Sequence, residues 1–91
     1  MASKTPILIV EDEREIGDLV RLNLHKEGYQ AVLVESGEAA LKYLAKHDVL
    51  LVVLDLMLPG IDGQEVCRRM KWDEQTRHSP CLLYTSPSPR D

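Results

Sequence analysis

The stretch that decides the fold is VLLVVLD at residues 49–55, followed directly by LMLPG at residues 56–60. A strand that is formed by six consecutive apolar residues is apolar on both of its faces. Such a strand is typical of the middle of a parallel sheet that helices cover on both sides. In sheets of this kind, ligands bind and functional residues lie at the carboxyl ends of the strands, and Asp55 is at such an end. Asp55 is therefore the first candidate for a functional residue.

A second apolar run, ILIV at residues 7–10, also ends on acids: Glu11, Asp12 and Glu13. If the two runs are neighbouring parallel strands, their terminal carboxylates meet at one edge of the sheet. Like charges so close together destabilise one another unless a cation neutralises them, and a hard divalent ion such as Mg2+ suits an all-oxygen cluster. The pattern therefore predicts a magnesium site at this edge.

The predicted chemistry is metal-assisted acceptance of a phosphoryl group by Asp55. A carboxylate oxygen is a weak nucleophile toward phosphorus, so positioning and charge cancellation must supply the catalysis. Mg2+ prefers octahedral oxygen coordination at roughly 2.1 Å and keeps several waters. We expect Asp12 and Asp55 to be direct ligands, Glu11 to act directly or through water, and the backbone carbonyl of Met57 to complete the protein ligands. The alternative is a solvated Asp55 that caps the following turn. It does not explain why Glu11 and Asp12 are expected at the same edge of the sheet.

The rest of the chain alternates helical and strand patterns. Apolar residues at helical spacing follow the first strand, and Gly28 is a plausible helix stop. The run AVLV at residues 31–34 predicts a short strand, after which Ser36 is an N-cap candidate for a second helix. A third helix is expected around Val66, Cys67 and Met70. This alternation predicts an α/β fold with a doubly wound parallel sheet, in one domain without an internal repeat.

The charge, the lengths of the apolar runs and the cysteine spacing argue against several classes of protein. The chain has 91 residues and a formal net charge of −4, which argues against nucleic-acid binding by this segment. The apolar run near the amino end is too short for a signal peptide, and no stretch is long enough to cross a membrane. Cys67 and Cys81 form neither a metal-binding spacing nor a disulfide framework. These features predict a reducing, cytoplasmic setting and no membrane contact.

The end of the chain differs from the rest. Residues 81–91 read CLLYTSPSPRD, which is the translation in one frame of a transposase sequencing adaptor. We interpret residues 1–80 as a partial domain and residues 81–91 as an adaptor-derived artefact tail. The alternative is a natural, disordered tail rich in Ser and Pro. The apolar residues after Pro80 stand where a further strand would begin.

Three segments, at residues 9–13, 53–63 and 65–69, resemble a response regulator receiver domain, and the LMLPG loop is most similar to its OmpR/PhoB-like subfamily. The resemblance covers residues 5–80. It implies a flavodoxin-like fold with five parallel strands in order 2-1-3-4-5, truncated here after about the fourth strand. In that family the residue matching Asp55 accepts a phosphoryl group from the histidine of a sensor histidine kinase. The residues matching Glu11, Asp12 and Met57, the last through its carbonyl, help to bind Mg2+.

The resemblance also implies a biological role. We expect a phosphoprotein that acts as the receiver of a two-component phosphorelay and is not an enzyme. We further expect it to be the input half of a transcription regulator, with DNA bound through a missing C-terminal domain and a receiver homodimer formed on phosphorylation. The alternative is a stand-alone receiver that acts by protein-protein contact. The family's switch Thr or Ser and its Lys are absent, and we attribute the position of Thr85 to coincidence within the tail.

Two other interpretations fit less well. A haloacid-dehalogenase-type enzyme needs a second aspartate two residues after its nucleophile, and here that position is Met57. A dinucleotide-binding domain needs glycines after its first strand, whereas Glu11 to Glu13 would repel pyrophosphate. Trp72 is expected to cap the third helix against the body of the domain. The three histidines, at positions 25, 47 and 78, are expected on the surface.

Overall fold

The structure is a computed structural model that describes residues 5–84. Strands and helices alternate along this part of the chain. Their bounds are β1 Ile7–Val10, α1 Arg14–Lys26, β2 Ala31–Val34, α2 Gly37–Leu44, β3 Leu51–Asp55, α3 Gly63–Trp72 and β4 Cys81–Tyr84.

The four strands form one parallel sheet in the order β2-β1-β3-β4. Ile9 of β1 lies opposite Leu33 on one side and Val53 on the other, and Val53 in turn lies opposite Leu82 of β4. The predicted α/β, doubly wound, flavodoxin-like fold is confirmed, with the strand order 2-1-3-4 over the described residues. β4 forms one edge of this sheet.

Helices cover the sheet unequally on its two faces. On one face, Leu8, Val10, Val52 and Leu54 pack with α2 and α3 in a continuous aliphatic core. On the other face, α1 packs against β2 and β1. Every residue of β1 is buried, as are four of the five residues of β3. The two central strands are thus buried on both faces, as their apolar sequences predicted.

Local signals set the helix ends. The N–H of Ala39 donates to the Ser36 side chain over 3.0 Å, which confirms Ser36 as the N-cap of α2. The N–H of Glu65 donates to the Asp62 side chain over 2.9 Å and caps α3 in the same way. Gly28 follows the end of α1 with φ +91°, a backbone conformation that favours glycine.

Two expectations need correction. The third strand begins at Leu51, two residues after the start of the apolar run, although the N–H of Leu50 donates to the carbonyl of Pro6 over 2.8 Å. Trp72 does not cap α3 against the domain, since 83% of its surface is exposed. Trp72 follows the buried Met70 by two residues, roughly 200° around the helix, so it lies opposite the face of α3 that packs on the sheet.

The face that α1 covers leaves several leucines accessible. Leu19 and Leu22 of α1 are 59% and 54% exposed, and Leu82 of β4 is 55% exposed. Leu82 is in register with Val53, Ile9 and Leu33, so it lies on the same face as α1. No helix among the described residues is both long and apolar enough to span a membrane.

Candidate functional site

Three carboxylates meet at the carboxyl edge of the sheet. Glu11 is the first residue after β1, Asp12 follows it, and Asp55 is the last residue of β3. One oxygen of each lies within 4.8 Å of the others. Parallel pairing of β1 with β3 produces this convergence, because Val10 and Leu54 are direct neighbours in the register. The structure therefore brings together the acids that the sequence singled out.

The cluster is largely shielded from water. Glu11 and Asp55 are completely buried, and Asp12 is partly buried. Burial of a carboxylate is costly unless hydrogen bonds or a cation compensate its charge. Asp55 Oδ1 accepts a hydrogen bond from the N–H of Met57 over 3.0 Å. Glu11 Oε2 accepts one from the N–H of Glu13, also over 3.0 Å.

Burial raises the pKa of Glu11 above its ordinary value, and the nearby charge of Asp55 acts in the same direction. Hydrogen bonds from Tyr84 and from the Glu13 backbone oppose this increase. The direction of the shift shows that desolvation and like charge outweigh the local donors. A bound cation would relieve both causes, because it favours the ionised form.

The donor set suits magnesium. All three side chains offer carboxylate oxygens, which are hard ligands, and the cluster contains neither His nor Cys. Two buried acids and one partly buried acid also leave an accumulated negative charge that a divalent ion would neutralise. Met57 lies in the turn directly after Asp55, and its peptide N–H is bonded to that carboxylate. The role of its carbonyl as a ligand stays a prediction.

Tyr84 is a site residue that the sequence analysis missed. It is the last residue of β4 and lies opposite Asp55 in the sheet register. Its hydroxyl donates to Glu11 Oε1 over 2.6 Å. The available signal was the apolar run after Pro80, because a strand there places its last side chain beside Asp55. The tail interpretation kept this residue out of consideration.

The remaining candidates lie away from the acids. His25, His47 and His78 are exposed, as expected, and His47 stacks on Tyr43 with ring centroids 4.3 Å apart. Cys67 and Cys81 are both free thiols. Neither thiol belongs to the acidic cluster.

Comparison with known proteins assigns the family. Residues 7–91 match the family model described as response regulator receiver domain, and the chain belongs to this family. It is 41% identical over 80 residues to the transcriptional regulatory protein AfsQ1 of Streptomyces coelicolor, covering 88% of this chain and 34% of that protein. It is 40% identical, also over 80 residues, to the alkaline phosphatase synthesis transcriptional regulatory protein PhoP of Bacillus subtilis, with 88% and 32% covered. The chain thus spans about a third of the length of these relatives.

Solved structures agree with this assignment. The chain superimposes with a TM-score of 0.85 on the receiver domain of the sensor histidine kinase PA1611 from Pseudomonas aeruginosa PAO1, at 25% identity. The match covers 97% of this chain and 72% of that one, whose structure has a magnesium ion coordinated in the active site cleft. The predicted membership of the OmpR/PhoB-like receivers is confirmed by the curated relatives. Phosphorylation by a kinase is the general role of such domains in two-component systems.

Proposed function

We propose that this chain is the phosphoacceptor module of a two-component phosphorelay, and that Asp55 takes the phosphoryl group from a sensor histidine kinase with Mg2+ bound beside it. The observation that carries this proposal is the convergence of Asp55 with Glu11 and Asp12 within 4.8 Å at the end of the parallel sheet. The protein acts as a signalling module rather than as an enzyme. Asp12 and Asp55 would hold the metal directly, with Glu11 and the Met57 carbonyl completing the protein ligands.

The transfer step is a substitution at phosphorus. A carboxylate oxygen of Asp55 forms a bond to phosphorus while the bond from phosphorus to the kinase histidine nitrogen breaks, and the imidazole leaves with the electron pair. The N–H of Met57 holds the Asp55 carboxylate through Oδ1, which restricts its orientation. Glu11 and Asp12 contribute the negative charge that retains the cation. When bound, Mg2+ supplies cancellation of charge on the phosphoryl oxygens.

Phosphorylation by a small donor tests the site directly. Acetyl phosphate with Mg2+ should add one phosphoryl group to the 91-residue chain, seen by intact mass, and hydroxylamine should remove it because the product is an acyl phosphate. Asp55→Asn should abolish the addition. Asp62→Asn is the matched control, because Asp62 is an exposed acid near the same edge. Addition that persists in Asp55→Asn would exclude Asp55 as the acceptor.

We further propose that the chain is the input half of a DNA-binding regulator, with DNA bound through a C-terminal domain and a receiver homodimer formed on phosphorylation. The curated relatives, of which this chain spans about a third, support this. The second candidate is a stand-alone receiver. Genomic sequence beyond Pro80 distinguishes them, because a stop within about forty further codons would complete only a single domain of ordinary size. A cytoplasmic location stays a prediction.

We also propose that residues 81–91 derive from a sequencing adaptor. The support is the match, in one frame, of all eleven residues to the translated adaptor. Amplification of the genomic locus across Pro80 tests this. A genomic sequence that encodes CLLYTSPSPRD at this position would refute it.

A further inference from the structure

We propose that Gly37, the first residue of α2, is a positioning residue for the magnesium site, because it leaves room for the Ile61 carbonyl and so sets the path of the loop that carries Met57. This inference rests on the proposed function, since it presupposes that Mg2+ binds at Asp55 with the Met57 carbonyl as a ligand. Gly37 has no side chain that could bind the ion, so it acts only through the loop. Every residue on which the inference depends lies within residues 1–80.

The loop in question runs from Leu56 to Asp62 and joins β3 to α3. At its start, the N–H of Met57 donates to Asp55 Oδ1 over 3.0 Å. At its end, the side chain of Asp62 accepts from the N–H of Glu65 over 2.9 Å. The side chain of Met57 is itself 54% exposed. Packing farther along the loop must therefore help to fix the position of the Met57 peptide.

The middle of the loop lies against the amino end of α2. A Cβ added at Gly37 would be 2.7 Å from the carbonyl oxygen of Ile61, well inside the normal contact distance of a carbon and an oxygen. A Cβ added at Gly60 would be 3.0 Å from Glu38 Oε2. Two successive residues of α2 thus meet two successive residues of the loop. The space between Gly37 and Ile61 admits no side chain.

The helix is held more firmly than the loop. The side chain of Ser36 caps α2 by accepting from the N–H of Ala39 over 3.0 Å, and Ala40 and Leu44 are buried in the aliphatic core. Residues 59 and 60 of the loop, in contrast, are exposed. A side chain at position 37 should therefore displace the loop rather than the helix.

A displaced loop would affect the site in two ways. The Met57 carbonyl would leave its proposed place as a ligand, and the Met57 N–H would no longer orient Asp55 through Oδ1. Both changes weaken Mg2+ binding, because groups that orient a metal ligand contribute to metal affinity although they do not bind the ion. Gly37→Ala should therefore lower the affinity of the site without changing any of its acids.

Gly17 provides a matched control. It is also a buried helical glycine, and a Cβ added there would lie 2.6 Å from Leu33 Cδ1. Leu33 belongs to β2, against which α1 packs on the other face of the sheet. The atom that would be crowded is the end of a side chain and not a part of the loop. Gly17→Ala therefore adds the same methyl group to a helix of the same domain without displacing Met57.

The test is a titration of the wild-type, Gly37→Ala and Gly17→Ala forms of the 91-residue chain with MgCl2, at a temperature at which each is folded by circular dichroism. Calorimetry gives the dissociation constant. We expect Gly37→Ala to raise it by about tenfold, the lower end of the range for loss of a group that orients a metal ligand. Gly17→Ala should leave it unchanged. Before Mg2+ is added, NMR spectra of the backbone amides should show shifted signals for Met57 and Ile61 in Gly37→Ala and unshifted ones in Gly17→Ala.

The outcomes separate this inference from the proposed function. An unchanged or lower dissociation constant in Gly37→Ala, with Mg2+ still bound by the wild-type chain, would overturn the inference alone. An equal increase in Gly17→Ala would also overturn it, because the effect would then come from crowding in general. If Gly37→Ala does not fold, Gly60→Ala decides, since its Cβ presses the same loop against Glu38; an unchanged dissociation constant there would overturn the inference. Absence of Mg2+ binding by the folded wild-type chain would overturn the magnesium site itself, and this inference with it.

Discussion

The N–H of Met57 donates to Asp55 Oδ1 over 3.0 Å, so the turn that leaves β3 holds the carboxylate that ends it. This bond depends only on an oxygen acceptor at the side chain, not on its charge. An asparagine at position 55 can therefore keep the local geometry while it removes one negative charge from the cluster.

Asp55→Asn should stabilise the metal-free chain. The charge of Asp55 opposes ionisation of the buried Glu11, and asparagine removes that repulsion while it retains the acceptor for Met57. We expect the free energy of unfolding in EDTA at low salt to rise by on the order of 1 kcal/mol. Urea denaturation at pH 7 measures it. A decrease would mean that the carboxylate is better compensated in the fold than we infer.

Mg2+ should stabilise the fold through Asp12. A ligand that binds only the folded state adds about 1.4 kcal/mol when its concentration is ten times the dissociation constant. We expect Asp12→Asn to lose most of this gain. Thermal melts with and without MgCl2 measure this gain in stability. A sample with NaCl at the same ionic strength controls for the screening of charges by salt. An equal gain in Asp12→Asn would exclude that residue as a ligand.

Gly63→Ala should destabilise the junction between β3 and α3. An added Cβ would lie 2.7 Å from the Asp55 carbonyl oxygen, a backbone atom that cannot rotate away. Alanine favours a helix by about 1 kcal/mol over glycine, but overpacking costs about 1–3 kcal/mol. We therefore expect a net loss in urea denaturation. Gln64→Ala, at the neighbouring exposed position, should change stability by less than about 0.5 kcal/mol. Equal stability of both variants would contradict this packing argument.

The Cys81 thiol should be unreactive in the folded chain. Burial, together with the neighbouring Cys67, raises the pKa of Cys81 to about 12. Because the thiolate is the nucleophile, its population stays small until the pH approaches that value. At pH 8 iodoacetamide should modify Cys81 at least about a hundredfold more slowly than in the urea-unfolded chain. Peptide mass mapping over time measures both rates, and similar rates would refute the prediction.

The chain should be marginally stable. Leu19 and Leu22 of α1 and Leu82 of β4 are more than half exposed, and β4 forms an edge of the sheet within residues 5–84. Short chains also bury a smaller fraction of their surface. We expect a melting temperature below about 45 °C by circular dichroism, under the usual mesophile range. A cooperative melt within that range would show that the exposed face costs less than we infer.

Local sequence signals predicted most of the fold. The bounds of β1 and β2 match their apolar runs. Ser36 and Gly28 mark helix ends through local features, a hydrogen bond to the N–H of Ala39 and a positive φ, respectively. The start of β3 was predicted too early, because apolar character alone does not mark the residue at which regular pairing with the neighbouring strand begins. Trp72 was misplaced although its spacing of two residues from Met70 puts it on the side of α3 opposite the buried face.

The sequence by itself determined a parallel sheet and the acids at its edge, because apolar runs that end on carboxylates encode both strand burial and strand ends. Only the tertiary structure decided how those acids are compensated. Tyr84 reaches Glu11 across 73 residues of chain, and no local pattern reports such a contact. It exists because β4 pairs in register with β3 and delivers its last side chain to the same face. Long-range pairing sets this geometry, whereas local propensity sets only the elements that pair.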